Sequence, residues 1–271
     1  VQNTGKVFAI GKVTGTGALG GLVDFGKGVS GYNTWKVGNE TNYRWSGKIT
    51  GTSTAFVKIG SGKLTVDGNW DNTGSVKVAE GELCLTSGKV IGTGAVTVDK
   101  DARLSGVTGT ASLTNSSYTI NGELVVGVFA NATSGKINFG GKNVTISSTG
   151  KYVVGKGSYS NTTIDDINTL TINGTIEVVF ASSYTPKDGD VVTLWTANKF
   201  AGTPNYVLPN LPLGMAWNMS KVSEGILTIV ADPTAIDVVP FGAKYGHNDI
   251  YDLKGQLVRK NATSTEGLPS G

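Results

Sequence analysis

The sequence predicts an all-β protein whose main part is a right-handed parallel β-solenoid (β-helix) closed by a C-terminal β cap. Between residues 60 and 154, short apolar-x-apolar triplets recur about every 20 residues; Val76 and Val96, for example, are 20 residues apart. Glycine makes up 40 of the 271 residues, roughly twice the usual share of about 7%. Such a content is typical of a chain that turns every few residues. Amphipathic helical patterns are almost absent.

Each triplet predicts a short strand, because alternate side chains of a strand face the same way. The first and third side chains then point into the coil, and one coil cannot bury them without the next. Residues 1–59 predict less regular coils, whereas residues 60–180 carry the regular repeat. The clearest triplets begin at Leu64, Val76, Leu83, Val96, Leu124, Ile137, Val144 and Tyr152.

The repeat and its interruption divide the chain into a solenoid and a cap. Residues 1–183 form the predicted solenoid, and residues 184–232 its predicted C-terminal cap. The cap begins near a Pro-Lys-Asp-Gly-Asp turn signal, 186–190, and continues in strands unlike the repeat. A last coil exposes apolar core and strand edges unless something covers them. We therefore expect Trp195 and Trp217 to act as lid residues over that coil.

Residues 233–271 form a predicted β tail after the cap. In this tail the runs 249–253 and 256–258 flank a Lys-Gly turn and predict a small hairpin. The chain begins inside the strand pattern at Val1, so we expect it to be a processed piece of a longer protein, with any export signal upstream. We also expect that the N-terminal end of the solenoid can self-associate.

Charge and cysteine content narrow the possible functions. The net charge is +3, and the 23 basic and 20 acidic residues are interspersed, so no nucleic-acid face is predicted. Lysines such as Lys58 and Lys77 are expected on solvated strand edges. No apolar run reaches the ~18 residues of a membrane-spanning helix. With the single cysteine Cys84, an intrachain disulfide is impossible, and stability must come from stacked coils.

Two stretches carry resemblances to known families. Gly60-Ser-Gly-Lys-Leu-Thr-Val66 and Gly92-Thr-Gly-Ala-Val-Thr-Val98 are similar to the autotransporter-associated β-strand repeats of Gram-negative surface proteins, a resemblance that covers about residues 45–180. Asp188-Gly-Asp-Val-Val-Thr-Leu-Trp195, with short elements after it, resembles the segment that closes such passenger-type β-helices. The resemblance implies a surface protein with no catalytic residues to carry over.

The tail carries a further resemblance. The run Ile250-Tyr-Asp-Leu-Lys-Gly-Gln-Leu-Val258 with Gly267-Leu-Pro-Ser-Gly271 resembles part of the C-terminal sorting domain of the type IX secretion route. What this resemblance implies is a secreted protein, or one on the outer cell surface of a Gram-negative bacterium.

Catalytic candidates are carboxylates at predicted turns, because a β-helix polysaccharide lyase or hydrolase places acids and bases in a lateral groove. The best group is Asp99, Lys100, Asp101 and Arg103, which combines two acids and two bases at one turn. The pairs Asp67 with Asp71 and Asp165 with Asp166 are weaker candidates. Aspartate also serves turns through backbone hydrogen bonds, so a purely structural role stays open for each pair.

No cofactor and no metal site are predicted. The single histidine, His247, lies in the tail, and Cys84 has no neighbouring base, so neither a thiol mechanism nor a zinc site is indicated. Cys84 is expected to face opposite Leu83 and Leu85.

Three tryptophans could form a ligand-binding surface. Trp35, Trp45 and Trp70 present flat faces that suit sugar rings, if they are exposed on one face of the solenoid. The alternative is that they pack at corners of the coils.

From these observations we expect a non-enzymatic, exported or cell-surface scaffold with adhesin-like contacts. Its partners would be extracellular glycans or the surface of a host or neighbouring cell. The alternative is a carbohydrate-active β-helix, either a polysaccharide lyase or hydrolase or its glycan-binding accessory domain. An enzyme requires a groove with converging carboxylates, whereas a scaffold shows flat faces with isolated charges.

Overall fold

The chain folds as a parallel β-solenoid of about six turns, followed by a small antiparallel three-stranded sheet. This confirms the predicted fold class. The computed structural model describes residues 34–106, 109–127, 135–158 and 161–232 in full, and elsewhere only the backbone of four short strands.

The described strands up to residue 126 have two to four residues, as the triplets predicted, and several of the later strands are longer. The first half of the chain contains β1 (Val7–Ile10), β2 (Ala18–Leu19), β3 (Thr34–Val37), β4 (Tyr43–Trp45), β5 (Lys48–Ile49), β6 (Ala55–Lys58), β7 (Lys63–Val66), β8 (Val76–Val78), β9 (Glu82–Leu85), β10 (Val96–Val98), β11 (Arg103–Gly106), β12 (Gly109–Ser112), β13 (Tyr118–Ile120) and β14 (Glu123–Val126). The second half contains β15 (Gly135–Ile146), β16 (Lys151–Lys156), β17 (Thr163–Ile172), β18 (Thr175–Phe180), β19 (Val191–Thr193), β20 (Trp195–Ala201), β21 (Asn205–Val207), β22 (Met215–Asn218), β23 (Ile226–Ala231), β24 (Ile250–Tyr251) and β25 (Leu257–Arg259).

Two parallel sheets form the walls of the solenoid. Sheet 1 has the order β1-β3-β6-β8-β10-β13-β15-β17-β20, with β12 paired to β15. Sheet 2 has the order β4-β7-β9-β11-β14-β16-β18-β21. Each coil therefore passes through one strand of each sheet before it returns to the next level.

Inward-facing side chains stack in register along each wall. In sheet 1, residues aligned with Phe56 follow one another on successive strands, and all are buried: Val76, Val96, Tyr118, Val144 and Leu170. In sheet 2 the corresponding row is Leu64, Leu83, Leu104, Leu124, Tyr152 and Ile176. Because a strand alternates its faces, the apolar positions of each triplet supply one continuous core.

The coils grow longer toward the C-terminus, although the rows stay in register. Val76 pairs with Val96, 20 residues later, whereas Val144 pairs with Leu170 and Leu170 pairs with Phe200. The added residues lie in the segments between aligned positions, and β15 and β17 show register shifts between Asn138 and Val144. The extra length is therefore accommodated outside the stacked rows.

Buried asparagines replace backbone partners at one turn. The Asn72 side-chain amide donates to the carbonyl oxygens of Thr54 (3.0 Å) and Gly74 (3.2 Å). Asn115 repeats the arrangement two coils later, donating to Ile91 and Gly94. These bonds satisfy carbonyl groups that the turn leaves without a sheet partner.

The expectation that Lys58 lies on a solvated strand edge is wrong, because its side chain is fully buried. It occupies an inward row, in register with Val37 on one side and Val78 on the other. Its Nζ donates to the carbonyl oxygens of Ile59 (2.8 Å), Gly60 (2.7 Å) and Glu80 (3.3 Å). Burial lowers the pKa of Lys58 to about 8, although nearby Glu80 and Glu82 oppose the shift.

The C-terminal segment 184–232 both extends and covers the solenoid. Strands β20 and β21 add a further level to sheets 1 and 2, while β19, β23 and β22 form the antiparallel sheet, with Leu194 and Leu227 in the common core. Trp195 is buried and stacks on Phe200, with ring centroids 4.7 Å apart. Trp217 is partly buried, and its Nε1 donates to the Pro209 carbonyl oxygen at 3.0 Å.

Within the tail, β24 and β25 pair antiparallel, as the predicted hairpin requires. Most of the tail, including His247, lies outside the described residues. Among the described residues, no helix is long and apolar enough to cross a membrane.

Lys58 generates a prediction about pH. Its folded-state pKa is near 8 and its ordinary value is 10.5, so between these values the unfolded chain binds the proton and the folded chain does not. The free energy of unfolding of the wild type should therefore rise relative to that of Lys58→Met as pH increases from 8 to 10.5, by on the order of 2 kcal/mol. Urea denaturation at several pH values measures both.

Subtracting the two curves removes the titration of groups that both proteins share, such as Cys84 and the buried tyrosines. Lys142→Met is the matched control, because Lys142 is exposed, and its curve should parallel the wild type. Parallel curves for the wild type and Lys58→Met would contradict the assignment.

Candidate functional site

A shallow depression lies at the corner where sheet 1 leads into sheet 2. Its volume is about 460 Å³, and it opens broadly to solvent. Four successive coils contribute its lining, which consists of Lys100, Asp101, Gly122, Glu123, Thr149, Gly150, Lys151 and Thr175. We call it the corner depression.

Two glycines in the lining of the corner depression let the coils stack closely. A Cβ at Gly122 would lie 2.2 Å from the carbonyl oxygen of Ala102, and one at Gly150 would lie 2.4 Å from that of Ile120. Both distances are far below van der Waals contact, so close stacking of the coils admits no side chain there. Glycine at these two positions is therefore required by the close approach of the neighbouring coil.

One wall belongs to a ladder of alternating charges on sheet 2. Arg103 reaches Glu82 (Nη1 to Oε2, 3.7 Å) and donates from Nε to Glu123 at 2.8 Å. Lys151 binds Glu123 at 2.8 Å and Glu177 at 3.1 Å. We call these five residues the charge ladder. Each member pairs with a residue of a neighbouring coil, so the ladder runs along the solenoid axis.

The charge ladder shifts the pKa values of Glu123 and Lys151 in opposite directions. Burial alone would raise the pKa of Glu123, but hydrogen bonds from Lys151 and Arg103 outweigh it and hold this pKa below its usual value. The hydrogen bond that Lys151 donates to Glu123 raises the pKa of Lys151, against partial burial. Both side chains therefore stay charged near neutral pH.

The structure separates the predicted group of Asp99, Lys100, Asp101 and Arg103. Asp99 pairs with Lys77 at 2.8 Å, and Arg103 belongs to the charge ladder. Only Lys100 and Asp101 line the corner depression. Asp101 has a left-handed backbone (φ 66°), which aspartate tolerates better than most residues at a turn.

The other carboxylate pairs are divided among separate partners. Asp67 binds Arg44 at 3.0 Å, and the hydrogen bond from Arg44 lowers its pKa. Asp71 binds Lys48 at 3.4 Å, and Asp165 binds Lys136 at 2.8 Å. Asp166 is exposed and has a left-handed backbone (φ 52°) within β17.

Two of the three predicted ligand-binding tryptophans lie in the core. Trp45 is 0% and Trp70 is 2% exposed, and their ring centroids lie 5.8 Å apart. Trp70 also contacts Phe56, at 4.6 Å between centroids. Trp35 is partly buried and packs against the same core. Trp45 and Trp70 therefore offer no ring face to a sugar. They follow the alternative interpretation, in which these tryptophans pack within the coils.

Cys84 is set apart from the apolar core but buried. It aligns with Thr65 and Ser105 on the row that alternates with Leu83 and Leu85, and it is 4% exposed. Burial raises the pKa of its thiol, which leaves it a poor nucleophile at neutral pH. Within the described ranges, no cluster of three or more His, Cys, Asp or Glu side chains could hold a metal ion.

Sequence reasoning did not find Glu123, Thr149, Lys151 and Thr175 as neighbours of Asp101. A signal was available: each follows or flanks a Gly-containing turn about one coil length further along the chain. Since the coils lengthen after residue 120, counting a constant 20 residues does not align these turns. The register between successive coils, which composition does not determine, brings these side chains close to Asp101.

No protein-family model matches this chain. The search of curated proteins likewise gives no significant match.

Arg103 generates a prediction about the charge ladder. Arg103→Met removes the bonds to Glu82 and Glu123 but leaves Lys151 on Glu123. We expect the free energy of unfolding to fall by about 0.5–1 kcal/mol at low salt, the usual range for a partly exposed ion pair. The difference should shrink in 1 M salt, where charges are screened beyond about 3 Å. Chemical denaturation at two salt concentrations measures it.

Acid pH provides a second readout of the same variant. Because the folded-state pKa of Glu123 is depressed, its contribution is present above the ordinary glutamate pKa and is lost as pH falls through the lower, folded-state value. The wild type should thus lose more stability than Arg103→Met below about pH 4. Lys142→Met is again the control, and a salt-independent loss in Arg103→Met would contradict an electrostatic role.

Proposed function

We propose that this protein is a non-enzymatic, exported or cell-surface β-solenoid scaffold that makes adhesin-like contacts through its lateral faces. The observation that carries the proposal is that the charged side chains pair between neighbouring coils. Eight ion pairs between described residues each join neighbouring coils: Arg44–Asp67, Lys48–Asp71, Lys77–Asp99, Arg103–Glu82, Arg103–Glu123, Lys136–Asp165, Lys151–Glu123 and Lys151–Glu177. Charges arranged this way link successive coils along the solenoid axis and do not converge on one site.

The state of Glu123 favours a scaffold over a glycosidase. Hydrolysis of a glycosidic bond needs a carboxylic acid that keeps its proton near neutral pH, and therefore a raised pKa. Glu123 and Asp101 are the carboxylates of the corner depression, and the pKa of Glu123 is lowered by Lys151 and Arg103. Glu123 is thus poorly suited to donate a proton.

Export is the second part of the proposal. The Gly-x-Gly-x-Leu-x-Val pattern at residues 60–66 resembles the autotransporter-associated β-strand repeats, and the tail resembles a type IX sorting domain. On this basis we place the protein outside the cell or on the outer surface of a Gram-negative bacterium. Extracellular glycans, or the surface of a host or neighbouring cell, are its proposed partners.

Beads coated with the protein test this function. They should retain cells or cell-wall fragments more strongly than beads coated with the heat-unfolded protein. The same preparation, incubated with xylan, mixed-linkage β-glucan, pectate and alginate, with and without Ca²⁺, should release neither reducing nor unsaturated sugar ends.

Release of sugar ends that disappears in Asp101→Asn or Glu123→Gln would replace the scaffold with the carbohydrate-active alternative. Equal retention of cells by folded and unfolded protein would contradict adhesion.

A further inference from the structure

The corner depression contains polar groups that the fold does not use. Lys100, Asp101 and Thr175 line it, and their side chains make no hydrogen bond or ion pair within the described part of the chain. An ammonium group donates, a carboxylate accepts, and a hydroxyl does both. The charge ladder beside them is satisfied, so these three groups are the ones available to a ligand.

The lining of the corner depression has no net charge. Lys100 and Lys151 are balanced by Asp101 and Glu123. A balanced lining gives no long-range attraction to a polyanion or a polycation. Its electrostatic complement is an uncharged ligand that carries many donors and acceptors.

The outer face of sheet 1 beside the depression carries a row of uncharged threonine side chains, which follows Lys77 in the same register. Thr97, Thr119, Thr145 and Thr171 align on four successive strands. Strands in a sheet lie about 4.7–4.9 Å apart, so their hydroxyls repeat at this spacing. The flanking outward positions are Ala95, Ser117, Asn143 and Thr169 on one side and Asp99, Asn121, Ser147 and Asn173 on the other. Asp99, the charged residue of this set, is paired with Lys77.

Hydrogen bonds join this face to the corner depression. The Ser147 and Thr149 hydroxyls lie 3.2 Å apart, and Thr149 also donates to the Asn121 carbonyl oxygen at 2.9 Å. Ser147 and Asn121 border the threonine row, whereas Thr149 lines the depression. The two features therefore form one continuous polar surface.

The shape of this surface selects a polymer over a small molecule. The corner depression is open, so a single sugar ring would be covered on one side only. The threonine row repeats along the solenoid axis, and the free groups lie on the first (Lys100 and Asp101) and the last (Thr175) of the four coils that line the depression. A chain that lies along this axis therefore engages several levels at once.

We propose, building on the scaffold function above, that the corner depression and the adjoining threonine row bind an uncharged, extended polysaccharide along the solenoid axis. In this site Asp101 accepts hydrogen bonds from sugar hydroxyls, Lys100 donates to ring or hydroxyl oxygens, and Thr175 does either.

Affinity electrophoresis of the intact chain tests the site. The probes are mixed-linkage β-glucan, arabinoxylan and galactomannan as uncharged polymers, and polygalacturonate and alginate as charged ones. At least one uncharged polymer should retard the protein, and the charged polymers should not. A hexasaccharide of the retarding polymer should bind more tightly than its disaccharide.

Variants locate the binding. The double variant Lys100→Ala/Asp101→Asn should weaken binding about tenfold or more, since it removes hydrogen bonds to two charged groups. Thr175→Val should weaken it less. Lys142→Ala and Thr110→Val change exposed residues outside the depression and should bind like the wild type, and thermal unfolding of each variant verifies its fold.

Three results would overturn the proposal: no retardation by any uncharged polymer, preference for a charged polymer, or equal binding by the double variant and the wild type. Cell retention by coated beads separates this failure from failure of the scaffold function. Beads that retain cells without any polysaccharide binding leave the scaffold intact and direct attention to a protein receptor.

Discussion

In-register stacking of successive coils is the constraint on which the rest of this structure depends. A single coil leaves the hydrogen-bonding groups of its strands unpaired and its apolar side chains exposed, and only the coils on either side satisfy them. The aligned rows that contain Val96 and Leu104 follow from this rule. So do the closely packed glycines at the corner, where a Cβ at Gly122 would meet the backbone of the coil below. Even the ion pairs run between coils rather than within them.

The sequence was sufficient to predict the coils but insufficient to predict their interior at every position. Triplets such as the one from Val76 to Val78 locate strands, because their alternation matches a strand with one buried face. Lys58 is an exception to this alternation of apolar and polar residues. It points inward because its ammonium group can donate hydrogen bonds to carbonyl oxygens in the turn after β6. Trp45 and Trp70 were open to two interpretations, since neither periodicity nor composition states whether a large ring fills a coil or lies upon it.

The corner depression shows why a site on a solenoid is hard to derive from sequence. Asp101 and Lys100 could be selected as a charged turn, but their neighbours Glu123, Lys151 and Thr175 come from later coils of unequal length. Arg103 and Asp99, adjacent to them in sequence, engage other partners. Residues that are adjacent in the sequence therefore need not belong to the same site. The register between coils determines which side chains share a surface.

The unequal coil lengths have a consequence for how such a chain can diverge. Val76 and Val96 are aligned although 20 residues separate them, and Leu170 and Phe200 are aligned although a longer coil separates them. Residues added between aligned positions therefore leave the stacked core rows unchanged. Insertions and deletions are then tolerated at corners and rejected within aligned rows. During evolution, related proteins can then vary in the length and sequence of their corner segments while they keep the same stacked core. We expect sequence similarity among them to be lost sooner than the common fold.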